Sequence, residues 1–347
     1  MSEPGHDSRA PRARARRLAL FGLAVPAVAA AAGLLVARAT PRPFTRAVRW
    51  AFEWDAARVT KALGAHEPAG VARALDQPYR VGDPDARLDV YFPESAEGQL
   101  PTVVWTHGGG WISCHKTDFA PYYQLLAAAG FTVVSLDYSL GPDQTYPTPV
   151  RQLNDAHAYL VANAERLHVD PTRIVLAGDS AGAQLSSQLA ALITNPDYAR
   201  EVGIIPALRP DQLRGVVLHC GVYDMSKVVG GPGILARAMD QLAWSYLGTK
   251  ELRGSAAVAQ MSTIRHVTDK FPPAYVSGGN ADPLTDTQSV PLAETLRGLG
   301  VDVTTVFYPR DHKPALGHEY QFKLDNEDGR RALELTVEFL RKHTEQD

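Results

Sequence analysis

The stretch from Ile174 to Leu192 leaves the chain few folds to choose from. An apolar run, Ile174–Ala177, breaks at Gly178-Asp179-Ser180-Ala181-Gly182, and a helical spacing (Gln184, Leu185, Gln188, Leu189, Leu192) begins at once. A short apolar run bounded by turn residues reads as a buried strand. The pentapeptide fits G-x-S-x-G in the strand–turn–helix setting that a nucleophile elbow requires. Gly178 and Gly182 stand where side chains flanking so tight a turn would clash. Ser180 then sits at a helix N-terminus, whose unpaired N–H groups and dipole favour developing negative charge. A plain glycine-rich turn also fits the pentapeptide by itself; the strand before it and the helix after it favour a nucleophile.

The same alternation runs through the chain. Leu88–Phe92, Thr102–Trp105, Phe131–Leu136, Gly215–His219, Ala274–Ser277 and Val303–Tyr308 read as strands. Tyr122–Ala129, Val150–Leu167, Val290–Leu299 and Arg330–Lys342 read as helices. Nearly continuous apolar strands alternating with helices predict an α/β fold, a mostly parallel central sheet covered on both faces. Residues 226–267 separate two strands by more than one crossover helix needs, and their apolar helical spacing suggests a lid or substrate wall; an ordinary pair of crossover helices is the plainer reading. Trp50–Leu63 has helical spacing, after a proline- and arginine-rich stretch at 41–50 that reads as a linker. The predicted organisation is 1–40 as an arginine-rich N-terminus with an apolar segment, 41–75 as linker and cap helix, and 76–347 as the catalytic domain.

That N-terminus is the compositional outlier. Arg9, Arg12, Arg14, Arg16 and Arg17 precede Leu18–Ala37, twenty residues without a charge. As a helix that length spans a hydrocarbon core of about 30 Å. The reading favoured is a membrane anchor, hence membrane contact and a membrane-anchored location. Export after cleavage near Ala37-Arg38-Ala39 is the alternative, and Arg16-Arg17 permits a twin-arginine route. The net charge of -3 leaves no electrostatic footprint for nucleic acid. Two cysteines, Cys114 and Cys220, make no disulfide framework and no zinc motif, so two buried thiols and no metal are expected.

A nucleophilic serine needs an oxyanion site, a base and a group to orient the base. His107-Gly108-Gly109-Gly110-Trp111 follows the Thr102–Trp105 strand directly, and consecutive glycines expose backbone N–H groups with no side chain in the way. Gly109 and Gly110, with Ala181 after the serine, are the expected oxyanion donors, each such donor worth roughly 3–4 kcal/mol in the transition state. His107 precedes the elbow and reads as a residue that supports the loop, with Gly108; Asp179 reads as a support for the elbow.

His-Gly-Gly-Gly-Trp at 107–111, Asp137-Tyr138-Ser139-Leu140-Gly141-Pro142, Gly-Asp-Ser-Ala-Gly at 178–182 and Gly279-Asn280-Ala281-Asp282-Pro283-Leu284 together resemble the hormone-sensitive-lipase-like family of α/β-hydrolases, from about Leu88 to the C-terminus. Ser139-Leu140-Gly141-Pro142 departs from the family's usual Arg-Leu-Ala-Pro. The resemblance implies carboxylic-ester hydrolysis without a cofactor, a small-molecule ester substrate and a helical cap over the acyl pocket. Triad order in such folds is serine, acid, histidine. Asp282 matches the family's acid, with Asp286 as a rival that more simply caps the next helix. His318, in Leu316-Gly317-His318-Glu319-Tyr320, matches the histidine, and His312 reads as a solvated surface residue. His115, His219 and His266 read as structural. The implied reaction is cleavage of short- to medium-chain esters through an acyl-enzyme. An arylformamidase, a feruloyl or acetyl esterase, and a silent binding protein on the same fold are the alternatives.

Overall fold

The computed structural model describes residues 39–345. One sheet carries eight strands: β1 Val71–Pro78, β2 Arg87–Pro93, β3 Leu100–Thr106, β4 Thr132–Leu136, β5 Val169–Asp179, β6 Leu213–His219, β7 Ala274–Gly278 and β8 Val303–Phe307. Their spatial order is β1-β2-β4-β3-β5-β6-β7-β8. The β1–β2 and β2–β4 pairs are antiparallel, and every later neighbour is parallel. The helices are α1 Arg42–Leu63, α2 Ala120–Ala128, α3 Thr148–Ala162, α4 Ala181–Thr194, α5 Pro196–Val202, α6 Ile234–Leu247, α7 Ala256–Met261, α8 Val290–Gly298 and α9 Glu327–Thr344.

The period of two along each strand explains the layering. Val103, Trp105, Val175, Ala177, Val217 and Tyr275 cluster with Tyr122 and Leu126 of α2 and with Phe339 and Leu340 of α9. Their sequence neighbours Val104, Leu176, Val216, Leu218 and Val276 cluster with α3, α4 and α8 through Leu153, Leu185 and Leu292. Each such buried side chain contributes about 1.5–3 kcal/mol relative to exposure. Both faces of the sheet are therefore dry, as apolar parallel strands require.

Several boundaries differ from the sequence expectation. Helix α1 starts at Arg42, so residues 42–49 of the expected linker are helical. Pro43 falls in the first turn, where its missing N–H would have no acceptor anyway. Helix α3 stops at Ala162, short of Leu167, because Asn163 leaves the helical region and its side-chain amide donates to the Tyr159 carbonyl at 2.9 Å. Strand β5 begins at Val169 and runs through Pro171. Strand β1, absent from the sequence reading, adds an antiparallel edge that crosses the expected boundary between 41–75 and 76–347. Among the described residues no helix is long and apolar enough to cross a membrane. The Leu18–Ala37 segment lies outside the described residues.

The glycines of the elbow are a steric requirement. A Cβ on Gly182 would sit 1.9 Å from the Thr106 carbonyl oxygen, and one on Gly178 would sit 2.6 Å from the Gly182 carbonyl. Rigid backbone cannot yield to such contacts. Gly182→Ala is expected to cost more than about 3 kcal/mol of unfolding free energy. Gly203→Ala, in open space at φ 70, is expected to cost only about 1 kcal/mol. Urea unfolding of the two variants side by side checks the difference.

Candidate active site

The parallel register brings the chemistry to one edge. Thr106 pairs with Gly178, Asp179 with His219, His219 with Ser277 and Gly278 with Phe307. Strands β3, β5, β6, β7 and β8 therefore end nearly level, and the segments leaving them share the carboxyl edge of the sheet, where open α/β sheets bind ligands. The glycine loop leaves β3, Ser180 leaves β5, Cys220 leaves β6, Asp282 follows β7 and His318 follows β8.

Ser180 occupies φ 50, ψ −117, a strained conformation for a residue with a side chain. Its N–H donates to the His219 carbonyl at 2.9 Å, which holds the turn from the β6 side. Ser180 Oγ lies 2.9 Å from His318 Nε2, and His318 Nδ1 lies 2.8 Å from Asp282 Oδ2. The other Asp282 oxygen accepts the Leu284 N–H at 2.9 Å, so the carboxylate is fixed at both ends. Asp282's side chain is fully buried, whereas His318 keeps an exposed edge toward the cavity.

The rival residues go elsewhere. Asp286 lies in a π-type turn, Thr285–Ser289, and pairs with Arg310 at 2.9 Å on the surface. It is not the cap of α8, whose N-cap position is Ser289. His312 is not a solvated residue: it is partly buried against Tyr308, and its Nε2 meets Asp328 Oδ2 at 3.0 Å. His219 is buried, stacks on Trp105 and meets Ser277 Oγ at 2.7 Å. His266 stacks on Tyr198, and His115 lies 3.8 Å from Asp137.

Gly109 and Gly110 adopt φ 83 and φ 60 and line the cavity beside Ser180 and Ala181. Ala181 is the first residue of α4, so its N–H has no acceptor within the helix. Two contacts hold the loop. Asp179 accepts the Gly108 N–H at 2.9 Å and the Trp105 indole N–H at 2.8 Å. Tyr138 donates from its hydroxyl to the His107 carbonyl at 3.0 Å, and its ring stacks on the His107 imidazole. Burial lowers the pKa of His107, which keeps the imidazole neutral within the loop.

The structure adds groups that the sequence reading did not single out. Glu319, in the left-handed region at φ 57, meets Asp179 and brings an oxygen to 3.8 Å from His318 Nε2. Burial and the neighbouring Glu319 raise the Asp179 pKa well above the usual carboxylate range, and burial raises that of Glu319. Cys220 also joins the group: the nearest ligand atoms of Cys220, Asp282 and His318 lie within 4.8 Å of one another. Burial pushes the Cys220 thiol up, so it is a neutral thiol near pH 7. Cys114 is likewise buried, and neither cysteine forms a disulfide. The signals were adjacency to His318 for Glu319 and a place directly after a strand end for Cys220.

A cavity of about 560 Å³ opens over Ser180. Helix α1 contributes Phe52 and Val59, α6 contributes Met239 and Leu242, and Phe119 and Val222 complete a largely apolar wall. Residues 226–267 thus supply part of the cavity wall through α6.

Sheet order, elbow and edge-clustered loops define an α/β-hydrolase. Residues 88–296 match the BD-FAE family, more than half of the chain, and the protein belongs to it. It is 28% identical to an esterase of Gibberella moniliformis over 60% of this chain and 64% of that one. The match thus spans just under two thirds of that relative's length. It is 29% identical to the carboxylesterase NlhH of Mycobacterium tuberculosis over 68% of this chain and 71% of the relative. Among solved structures, an esterase of Pyrobaculum calidifontis superposes with a TM-score of 0.68 at 26% identity, covering 86% of this chain and 92% of that one. Esterase B of Lactobacillus Rhamnosis shares the fold, with a TM-score of 0.72 at 24% identity over 87% and 95% of the two chains.

The site's electrostatics give a pH test. Burial opposes the protonated form of His318, but Cys220, Asp282 and Glu319 together raise its pKa well above the ordinary histidine value. With the Cys220 thiol neutral, the two carboxyl groups carry that effect near pH 7. A base must be unprotonated, so activity that depends on His318 falls as pH drops through this raised pKa. Glu319→Gln removes a negative charge beside the imidazole, and the acid limb of a kcat/KM–pH profile is expected to move to lower pH. An unmoved limb would remove Glu319 from the electrostatics of the histidine.

Proposed function

We propose that the protein hydrolyses carboxylic esters of short to medium acyl length through a Ser180 acyl-enzyme. The observation that carries this reading is the continuous hydrogen-bonded line Ser180 Oγ–His318 Nε2 at 2.9 Å and His318 Nδ1–Asp282 Oδ2 at 2.8 Å, at the floor of the cavity. In this mechanism His318 takes the Ser180 proton as the hydroxyl attacks the ester carbonyl. Asp282 holds the ring with Nδ1 protonated and stabilises the imidazolium. The N–H groups of Gly109, Gly110 and Ala181 receive the negative oxygen of the tetrahedral intermediate. His318 then protonates the departing alcohol, and water repeats the cycle on the acyl-enzyme.

The strained backbone at Ser180 suits this role because it presents Oγ to the cavity and leaves the helix dipole pointing at the developing charge. Kinship with proteins described as esterases supports the reaction class. The apolar wall of Phe52, Phe119, Met239 and Leu242 supports an acyl chain as the group that fills the cavity.

Ser180→Ala is expected to reduce turnover of activated short-chain esters by about four to six orders of magnitude with unchanged thermal unfolding. Asp282→Asn and His318→Ala are expected to follow it, while Asp286→Asn and His312→Ala keep near-full kcat. Equal losses within either pair would overturn the assignment. Full absence of turnover by the wild type on every ester, with ligand binding retained, would favour a binding protein. A series of 4-nitrophenyl esters should peak in kcat/KM between butyrate and octanoate and fall at longer chains, as the cavity fills.

A further inference from the structure

The five tryptophans of the chain divide by placement. Trp105, Trp111 and Trp244 are buried, whereas Trp50 and Trp54 are 71% and 62% exposed. Both exposed indoles stand on α1, four residues apart and hence on one face. Exposed Ala47, Ala51 and Ala57 flank them together with exposed Glu53, and the opposite face of the helix holds the buried Thr45, Ala56 and Leu63. The Arg58 guanidinium lies 5.9 Å from the Trp54 ring centre, and both indoles still face water. Indole rings are favoured at membrane–water interfaces, where an apolar body and a polar N–H each find their medium.

Charge points the same way. Helix α1 has no acidic residue in its first turn; Arg42 there pairs with Asp143 at 2.8 Å, and the exposed Arg46 follows one turn on. Basic groups at the positive end of a helix dipole oppose the usual preference. Arg46 suits a surface of anionic headgroups. The chain leading into the helix adds a third argument. The uncharged Leu18–Ala37 stretch counts twenty residues, the number that would be needed for a helix to cross a bilayer core, and ends five residues before Arg42. Five residues reach at most about 18 Å.

We propose that the outward face of α1 docks on an anionic lipid bilayer, with Trp50 and Trp54 at the headgroup–acyl boundary and Arg46 on the headgroups. The inner side of the same helix walls the cavity through Phe52, Ala56 and Val59, so docking sets the cavity one helix thickness from the lipid. The docking does not depend on the reaction proposed for Ser180.

The test uses the full chain reconstituted into phosphatidylcholine/phosphatidylglycerol vesicles with or without brominated acyl chains, reading tryptophan emission. Two of five indoles are in reach, so brominated lipid should remove up to about two fifths of the emission. The Trp50→Phe/Trp54→Phe double variant should lose that quenching, and Trp244→Phe should keep it. Equal emission in both vesicle types overturns the proposal, as it would if a second copy or the Leu18–Ala37 stretch covered the face. Quenching that persists in the double variant also overturns it. Quenching of the same extent in pure phosphatidylcholine overturns the role given to Arg46.

Discussion

The buried carboxyl of Asp179 is the contact on which the site's geometry rests. It accepts the Trp105 indole N–H from β3 and the Gly108 N–H from the glycine loop, and it precedes Ser180 in the chain. One side chain thus ties a strand, the loop and the elbow at fixed separations. A carboxylate buried without such donors would be costly. Glu319 approaches from the histidine loop, and together with burial it raises the Asp179 pKa. The segments holding Ser180 and His318 therefore come together at these two side chains as well as at the Ser180–His318 contact.

The sheet supplies the rest of the preorganisation. Parallel strands paired nearly in register end at one edge, so residues far apart in sequence emerge beside each other without long loops. The strain at Ser180 is held by the surrounding fit. Gly182 lies against the Thr106 carbonyl with no space for a methyl group, and the Ser180 N–H is bonded to β6. Packing of α1 and α6 over this edge then determines what reaches the serine. Thr45 Oγ1 and Ser245 Oγ, 2.8 Å apart and buried, join the two helices.

Legibility in the sequence followed the range of the interactions involved. The elbow and the glycine loop were readable because their demands are local: backbone conformations and close approaches that only glycine tolerates. Asp282 and His318 were readable through their order along the chain and their family motifs. Asp286 was misjudged as a helix cap because the π-type turn before α8 is not written in residue propensities. His312 was misjudged as solvated because its partner, Asp328, comes from a helix packed alongside. The start of α1 was misplaced since proline is read as a breaker, although the first turn accepts it. Glu319 and Cys220 carry no motif, and their importance arises only from where the ends of β6 and β8 converge.

The sequence by itself determined the alternation of strands and helices, the elbow, the donor-rich glycine loop and the order of the polar residues, because each depends on covalent neighbours and on the period of apolar positions. Only the tertiary structure decided which carboxylate meets which imidazole, that Asp179 and Glu319 form a pair, and that α1 and α6 wall the cavity. Those are contacts across the sheet edge and between layers. They are set by strand register and by the fit of buried side chains, which no local stretch of residues contains.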